Sequence, residues 1–167
     1  MTNFILQLLT YALPCWFINI SLNLLWPLKQ KFIFIKKNDL ALDLSISLPD
    51  RHRLLGTSTT LIGLFLSLGL GIVFQYLILI PHGIFIGICV YLGHATGSFI
   101  KRRLDIADGV FLPIIDHGDY VIFTGMVFYV LGYASAQVVL VTILITLIAQ
   151  PVVCLIGFYI GLRKEKL

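Results

Sequence analysis

The chain has 167 residues, of which 59% are hydrophobic and 12% charged, with a formal net charge of +4 and a mean hydropathy of +0.99. An average soluble domain has about 45–50% apolar and about 25% charged residues, so this composition excludes a soluble globule and a disordered chain and puts the excess apolar surface against lipid. The few cations do not form a nucleic-acid-binding face, and Cys15, Cys89 and Cys154 sit in apolar runs without disulfide or metal-ligand spacing.

A bilayer core about 30 Å thick takes about 20 apolar residues per helix. The first uncharged run, Met1 to Leu28, accommodates one span at 4–28, interrupted by Pro14 and carrying Asn19 and Asn23. It lacks a basic leader and its apolar stretch is too long for a cleavable signal, so it reads as a retained helix. Leu54 to Ile100 accommodates two spans, 58–79 and 83–100, hinged at Ile80-Pro81-His82-Gly83. Tyr120 to Leu162 accommodates two more, 120–136 and 138–162, parted near Gly132-Tyr-Ala-Ser-Ala136. The expected fold is one all-α integral membrane domain over 1–167, a bundle of about five transmembrane helices.

All 12 Lys and Arg fall in Lys29–Arg53, Lys101–Arg103 and Arg163–Lys166, within the loops 29–57 and 101–119 and the C-terminal tail. The positive-inside rule places these in the cytoplasm, with the N-terminus outside and the C-terminus cytoplasmic, in a multi-pass protein of the cell membrane. All eight acidic residues lie on the same side. A transporter keeps ionisable groups near the midplane, whereas these spans hold only His94 and His82, so a pore is disfavoured. An enzyme acting on a lipid headgroup with a cytoplasmic polar co-substrate puts its charge where this chain does.

The most informative stretch runs Gly93-His94-Ala-Thr-Gly97-Ser98-Phe-Ile-Lys101-Arg102-Arg103, then Asp105, Asp108-Gly109 and Pro113-Ile-Ile-Asp116-His117-Gly118-Asp119. On a continuous helix, His94, Ser98, Lys101 and Arg102 share a polar stripe suited to phosphate at the membrane boundary. Asp116 and Asp119, three apart at a helix start, can share a hard cation such as Mg²⁺ together with substrate phosphates. Each piece also has a plainer reading: Lys101–Arg103 as a positive-inside flank, the aspartates as caps, Gly93 and Gly97 as a helix-packing contact. The hydroxyl-rich Gly56-Thr-Ser58-Thr59-Thr60 reads either as N-cap material or as an anion-binding turn, with Ser58 and Thr60 as its candidate ligands.

Ser98-Phe-Ile-Lys101-Arg102-Arg103, Gly109, Pro113 and Asp116-x-x-Asp119 resemble the signature of the CDP-archaeol synthase family, itself similar to phosphatidate cytidylyltransferases. Pro14 to Asn19, Asp43, Asp50-Arg-His-Arg53-Leu-Leu-Gly56 and Gly157 through Lys164 resemble further motifs of that family in order. The resemblance implies transfer of CMP from CTP to a phosphorylated membrane lipid, releasing pyrophosphate, with Mg²⁺ as cofactor and without nucleic acid. It also implies roles: Lys101, Arg102, Asp116 and Asp119 catalytic, Asp116 and Asp119 on the metal, and Ser98, Arg103, Asn19 and Asp43 on substrate.

Five positions, in three places, depart from the family pattern. His94 stands where the resemblance implies a third metal-binding Asp, and imidazole is a poor ligand for Mg²⁺. Thr59, Leu61 and Ile62 replace a Lys, Trp and Arg, and Arg51 replaces a Gly. Two readings follow: an active cytidylyltransferase, or a catalytically degenerate member that binds lipid phosphate or a partner.

Overall fold

Each long uncharged run of the sequence is helical in the computed structural model, which describes residues 2–31, 40–50, 52–57, 59–107, 110, 112–159 and 161. Helix α1 spans Thr2–Lys31, α2 Leu61–Tyr76, α3 Gly83–Arg103, α4 Pro113–Val130 and α5 Ala136–Tyr159. Apart from two isolated β-bridges, the described residues are helices and their connections. Ser58, Arg51, Asp108, Gly109 and the basic tail from 162 lie outside the described residues.

Helices α1, α3 and α5 are long and apolar enough to cross a membrane. Helix α2, at 16 residues, is about 24 Å long. Helix α4 carries Asp116 and Asp119 in its first two turns. It starts at Pro113, seven residues before the expected span 120–136, because Pro at the first helical position and Asp in the first turn both favour a helix start. Pro14 does not interrupt α1, which is continuous through it; Pro14 is fully buried among the other helices, where neighbours can satisfy the freed carbonyl. The turns fall where expected, at 77–82 and 131–135, with Leu79 and His82 in the first and Gly132 in the second adopting positive φ.

Helix α2 packs on α3, α3 on α4 and α4 on α5, while α1 touches all four. Tyr11, Cys15 and Ile18 of α1 meet Ile86 and Val90 of α3, Tyr120, Val121 and Phe128 of α4, and Val138 and Val139 of α5 in one buried core. The Tyr11 hydroxyl donates to the Val121 carbonyl at 2.8 Å, tying α1 to α4. Leu140, Leu144, Ile148, Val152 and Ile156 lie exposed along α5, the face an apolar helix turns to lipid.

Gly93 and Gly97 let α3 and α4 approach closely. A Cβ at Gly93 would lie 2.5 Å from the Tyr120 Cα, and one at Gly97 would collide with the Asp119 carboxylate. The packing reading of this glycine pair therefore holds, and it also brings Asp119 against α3.

The described residues between 40 and 60 form an irregular strap beside the start of α2 and the end of α3, held by antiparallel bridges between Ala41 and Thr60 and between Ser47 and Arg53.

Candidate active site

The C-terminal half of α3 faces two neighbours at once. At about 100° per residue, His94 and Lys101 share nearly the same azimuth, while Ser98 and Arg102 are rotated to one side. The single polar stripe expected from the sequence is therefore divided: His94 and Lys101 meet α4, and Ser98 and Arg102 meet the strap.

On the α4 side, the Lys101 ammonium donates to both oxygens of Asp116 at 2.9 Å, with the Lys101 residue only 9% exposed. Asp116 Oδ2 also accepts from the Leu112 amide at 2.6 Å, so the carboxylate closes the start of α4. One turn on, Asp119 lies 3.2 Å and 3.3 Å from His94 Nδ1 through its two oxygens, and Oδ1 accepts from the Tyr120 amide at 2.6 Å. His94 Nε2 is buried without a hydrogen-bond partner. The two carboxylates thus project from the same side of α4, one holding a lysine and the other an imidazole.

On the strap side, Thr59 donates to the Ser98 hydroxyl at 3.0 Å, and Arg102 Nε donates to the Leu55 carbonyl at 3.0 Å and Nη1 to the Ile106 carbonyl. Arg103 lies on another face of α3. It pairs with Asp50, donates to the Arg53 carbonyl at 2.6 Å, and sets its guanidinium 5.1 Å from the Phe99 ring.

Asp43 governs the strap from within. Its side chain has no exposure; Oδ1 accepts from Arg53 at 2.7 Å and from the Ser45 amide at 3.0 Å, and Oδ2 from the Leu55 amide at 3.1 Å. Burial alone would raise its pKa, but the Arg53 guanidinium and the two amides outweigh that and hold the carboxyl below its usual value. For exposed Asp50 the small cost of burial is likewise outweighed, here by the His52 amide and Arg103, and its pKa is lowered. Asp43 and Arg53 hold the acceptors of Arg102 and Arg103 in place, so Asp43, expected on substrate, is here engaged with Arg53, Ser45 and Leu55.

Two other expected substrate residues sit elsewhere. Thr60 caps α2, its hydroxyl accepting from the Gly63 amide at 3.4 Å while its carbonyl accepts from the Tyr91 hydroxyl at 2.5 Å. Asn19 is fully buried in α1, its Oδ1 accepting from Asn23 at 3.0 Å and its Nδ2 without a hydrogen-bond partner. Arg53 and the Leu55 carbonyl escaped the sequence reading as site-forming groups, while Thr59 entered it only within the hydroxyl-rich turn and as the replacement of a Lys. Arg53 carried a signal as the cation ending the Asp50-Arg-His-Arg53 run.

Among the described residues, no group of three or more His, Cys, Asp or Glu is gathered to hold a metal. His94 does not complete a ligand trio with Asp116 and Asp119; its Nδ1 is turned onto Asp119 as a hydrogen-bonding partner. The donor set still fits Mg²⁺ in the way that ion usually binds, through one or two carboxylates with substrate phosphates and water completing the shell.

A family model described as CarS-like, CDP-archaeol synthase, matches residues 65–166, more than half of the chain and including α3, α4 and α5. The chain belongs to the CDP-archaeol synthase family. It is similar to the CDP-archaeol synthase of Methanopyrus kandleri, 30% identical over 133 residues covering 74% of this chain and 77% of that one. It is 32% identical to the CDP-archaeol synthase of Staphylothermus marinus over 113 residues, 64% of this chain but only 62% of that relative's length. A solved structure described as an intramembrane enzyme for archaeal membrane lipids biosynthesis superposes with a TM-score of 0.66 over 87% of this chain and 90% of that one, at 23% identity. This chain therefore shares the helical fold of that protein, and its membership of the family rests on sequence.

Proposed function

We propose that the chain is a CTP-dependent cytidylyltransferase that converts a phosphorylated membrane lipid into a CDP-lipid and pyrophosphate. The observation that carries this reading is the meeting of Lys101 with Asp116, and of His94 with Asp119, where the end of α3 crosses the start of α4. Acidic and cationic groups from two helices are thereby held side by side at one end of an apolar bundle, where a polar nucleotide and a lipid phosphate can both arrive. In the proposed topology all five helices span, the N-terminus lies outside, and this end faces the cytoplasm at the cell membrane.

In the reaction, a phosphate oxygen of the lipid attacks the α-phosphorus of CTP in line; the new P–O bond forms as the bond to the β-phosphate oxygen breaks and pyrophosphate departs. Such transfers need positioning and charge neutralisation more than covalent help from the protein. Asp116 and Asp119 would hold Mg²⁺, which neutralises triphosphate charge when bound. Lys101 exchanges Asp116 for phosphate oxygens, and Arg102, fixed by the Leu55 carbonyl, lies one residue on at the strap side. Ser98 and Thr59 offer hydroxyls between the two. Arg103 braces the strap through Asp50 and Arg53, and Asp43 fixes that brace.

A second reading, a degenerate member that binds a lipid phosphate or a partner without turnover, is favoured by one observation: His94 engages Asp119 where a carboxylate is expected from the family resemblance. One assay separates the two. Purified protein is incubated with labelled CTP, Mg²⁺ and phosphorylated lipids of ester and ether type. A CDP-lipid product that disappears in Asp116→Asn supports the enzyme; folded protein giving no product with any lipid or divalent metal refutes it and leaves the second reading.

A further inference from the structure

The tip of the strap displays three aliphatic side chains, Leu40, Leu44 and Ile46, each more than half exposed. Leu44 and Ser45 have φ of 46° and 65°, the left-handed region that residues with a Cβ seldom adopt. The turn is built to keep them there. The Leu44 amide donates to the Ala41 carbonyl at 3.1 Å, the Ile46 amide to the Asp43 carbonyl at 2.8 Å, and the Ser45 amide to the buried Asp43 carboxylate. A strained backbone fixed so firmly points to a use for what it presents, and here it presents a leucine 67% exposed. Facing water, that arrangement is unfavourable twice over; at the acyl boundary of a bilayer the exposed leucine becomes an advantage.

The tip also lies at the right level. The amide of Leu61, the first residue of α2, donates to the Leu40 carbonyl at 2.9 Å, and the Leu42 amide donates to the Thr59 carbonyl at 2.8 Å. The strap therefore runs beside the start of an apolar helix, where the topology proposed above takes that helix into the membrane. In sequence, Lys29, Lys31, Lys36 and Lys37 precede it, a basic run that anionic headgroups attract.

We propose that residues 40–47 are an interfacial anchor, inserting Leu40, Leu44 and Ile46 at the headgroup–acyl boundary of the leaflet beside the α3–α4 site. The lipid surface is its partner, most strongly where that surface is anionic. Because Asp43 at the root of the tip also holds Arg53 and Leu55, the anchor sets the height of the carbonyls that orient Arg103 and Arg102 relative to the membrane.

The full chain carrying Leu44→Cys is labelled with an environment-sensitive dye and reconstituted in phosphatidylcholine vesicles with and without phosphatidylglycerol. The unsubstituted chain, whose three cysteines are buried, sets the background. Ile46→Cys provides a second, independently folded reporter. The expected result is blue-shifted emission, at least twofold quenching by lipids bearing a shallow acyl nitroxide, protection from iodide, and stronger quenching when phosphatidylglycerol is present. Iodide quenching equal to that of the free dye conjugate, without a nitroxide effect, overturns the anchor. Protection from iodide without nitroxide quenching also overturns it, placing protein over the tip; nitroxide quenching indifferent to phosphatidylglycerol overturns the anionic preference. Quenching of Trp16 by deep nitroxides, read in a Trp26→Phe background, reports the insertion of α1, so its loss marks failure of the topology and not of the anchor alone.

Discussion

Replacing Asp43 by alanine removes one acceptor from a guanidinium and two from backbone amides in a single step. All three bonds end on the ionised carboxylate, and a hydrogen bond to a charged group contributes about 1.5–3 kcal/mol, but three neighbours around one carboxylate do not sum fully. The expected cost is about 3–4 kcal/mol, near the loss seen when one member of a buried ion pair is removed. That cost falls on the strap, because the helices keep their own core of Tyr11, Ile86, Tyr120 and Val138. Limited proteolysis in detergent should therefore cut Asp43→Ala within 40–60 at a protease concentration that spares the parent, with helix content unchanged by circular dichroism. Since the Leu55 and Arg53 carbonyls then lose their fixed places, Arg102 and Arg103 lose theirs, and CTP affinity measured by calorimetry should fall about tenfold, equivalent to about 1.4 kcal/mol. Parental protection of the strap together with parental CTP affinity would refute the reasoning.

The same carboxylate sets a pH dependence. The folded-state pKa of Asp43 lies below its unfolded value of about 3.9, so its contribution is complete above that value and is lost as pH falls through the folded one. Strap protection should accordingly be flat from neutral pH down to about pH 5 and decline below about pH 4. Asp43→Asn, which cannot ionise, should start lower and show a shallower decline, the remainder coming from Asp50, whose pKa is also lowered.

Three further outcomes are expected. Lys101→Gln or Asp116→Asn alone should lower thermal stability by about 2–3 kcal/mol by stranding the partner, whereas the double variant recovers most of it and remains without product; a double variant no better than the singles would deny that the pair is coupled. His94→Asp sets a second carboxylate against Asp119, so the variant should melt lower than the parent in chelator and gain more from Mg²⁺ or Mn²⁺; equal metal-induced shifts in the two proteins count against Asp119 as a metal ligand. Gly97→Ala pushes its methyl into the Asp119 carboxylate, a movable group, and should leave a folded protein with weakened divalent binding, while Gly93→Ala meets the Tyr120 backbone and should cost about 1–3 kcal/mol in stability; the reverse pattern would misplace the α3–α4 contact.

What sequence could and could not foretell divides along the reach of each interaction. Uncharged run length is a local property, and every helix but α4 lies within a few residues of its expected run, because lipid permits little besides helix where no charge is present. The early start of α4 was also local, in Pro113 and Asp116, but counting apolar residues alone passes over a polar first turn. The strap was not legible, since Arg102 and Arg103 seek the carbonyls of Leu55 and Arg53, 47 and 50 residues away, and a carbonyl leaves no mark in an amino-acid sequence. The polar stripe on α3 falls between these cases. Helical spacing correctly put His94, Ser98, Lys101 and Arg102 on one broad side, yet the rotation between the His94–Lys101 and Ser98–Arg102 pairs was enough to send them to different neighbours. That division bears directly on chemistry. In the proposed reaction, Lys101 and the aspartates would work from helices fixed by the Gly93–Gly97 contact, whereas Arg102 would depend on a strap that hangs on Asp43. Losses at the strap should therefore weaken nucleotide binding by degrees, and losses at the helix crossing should abolish turnover outright.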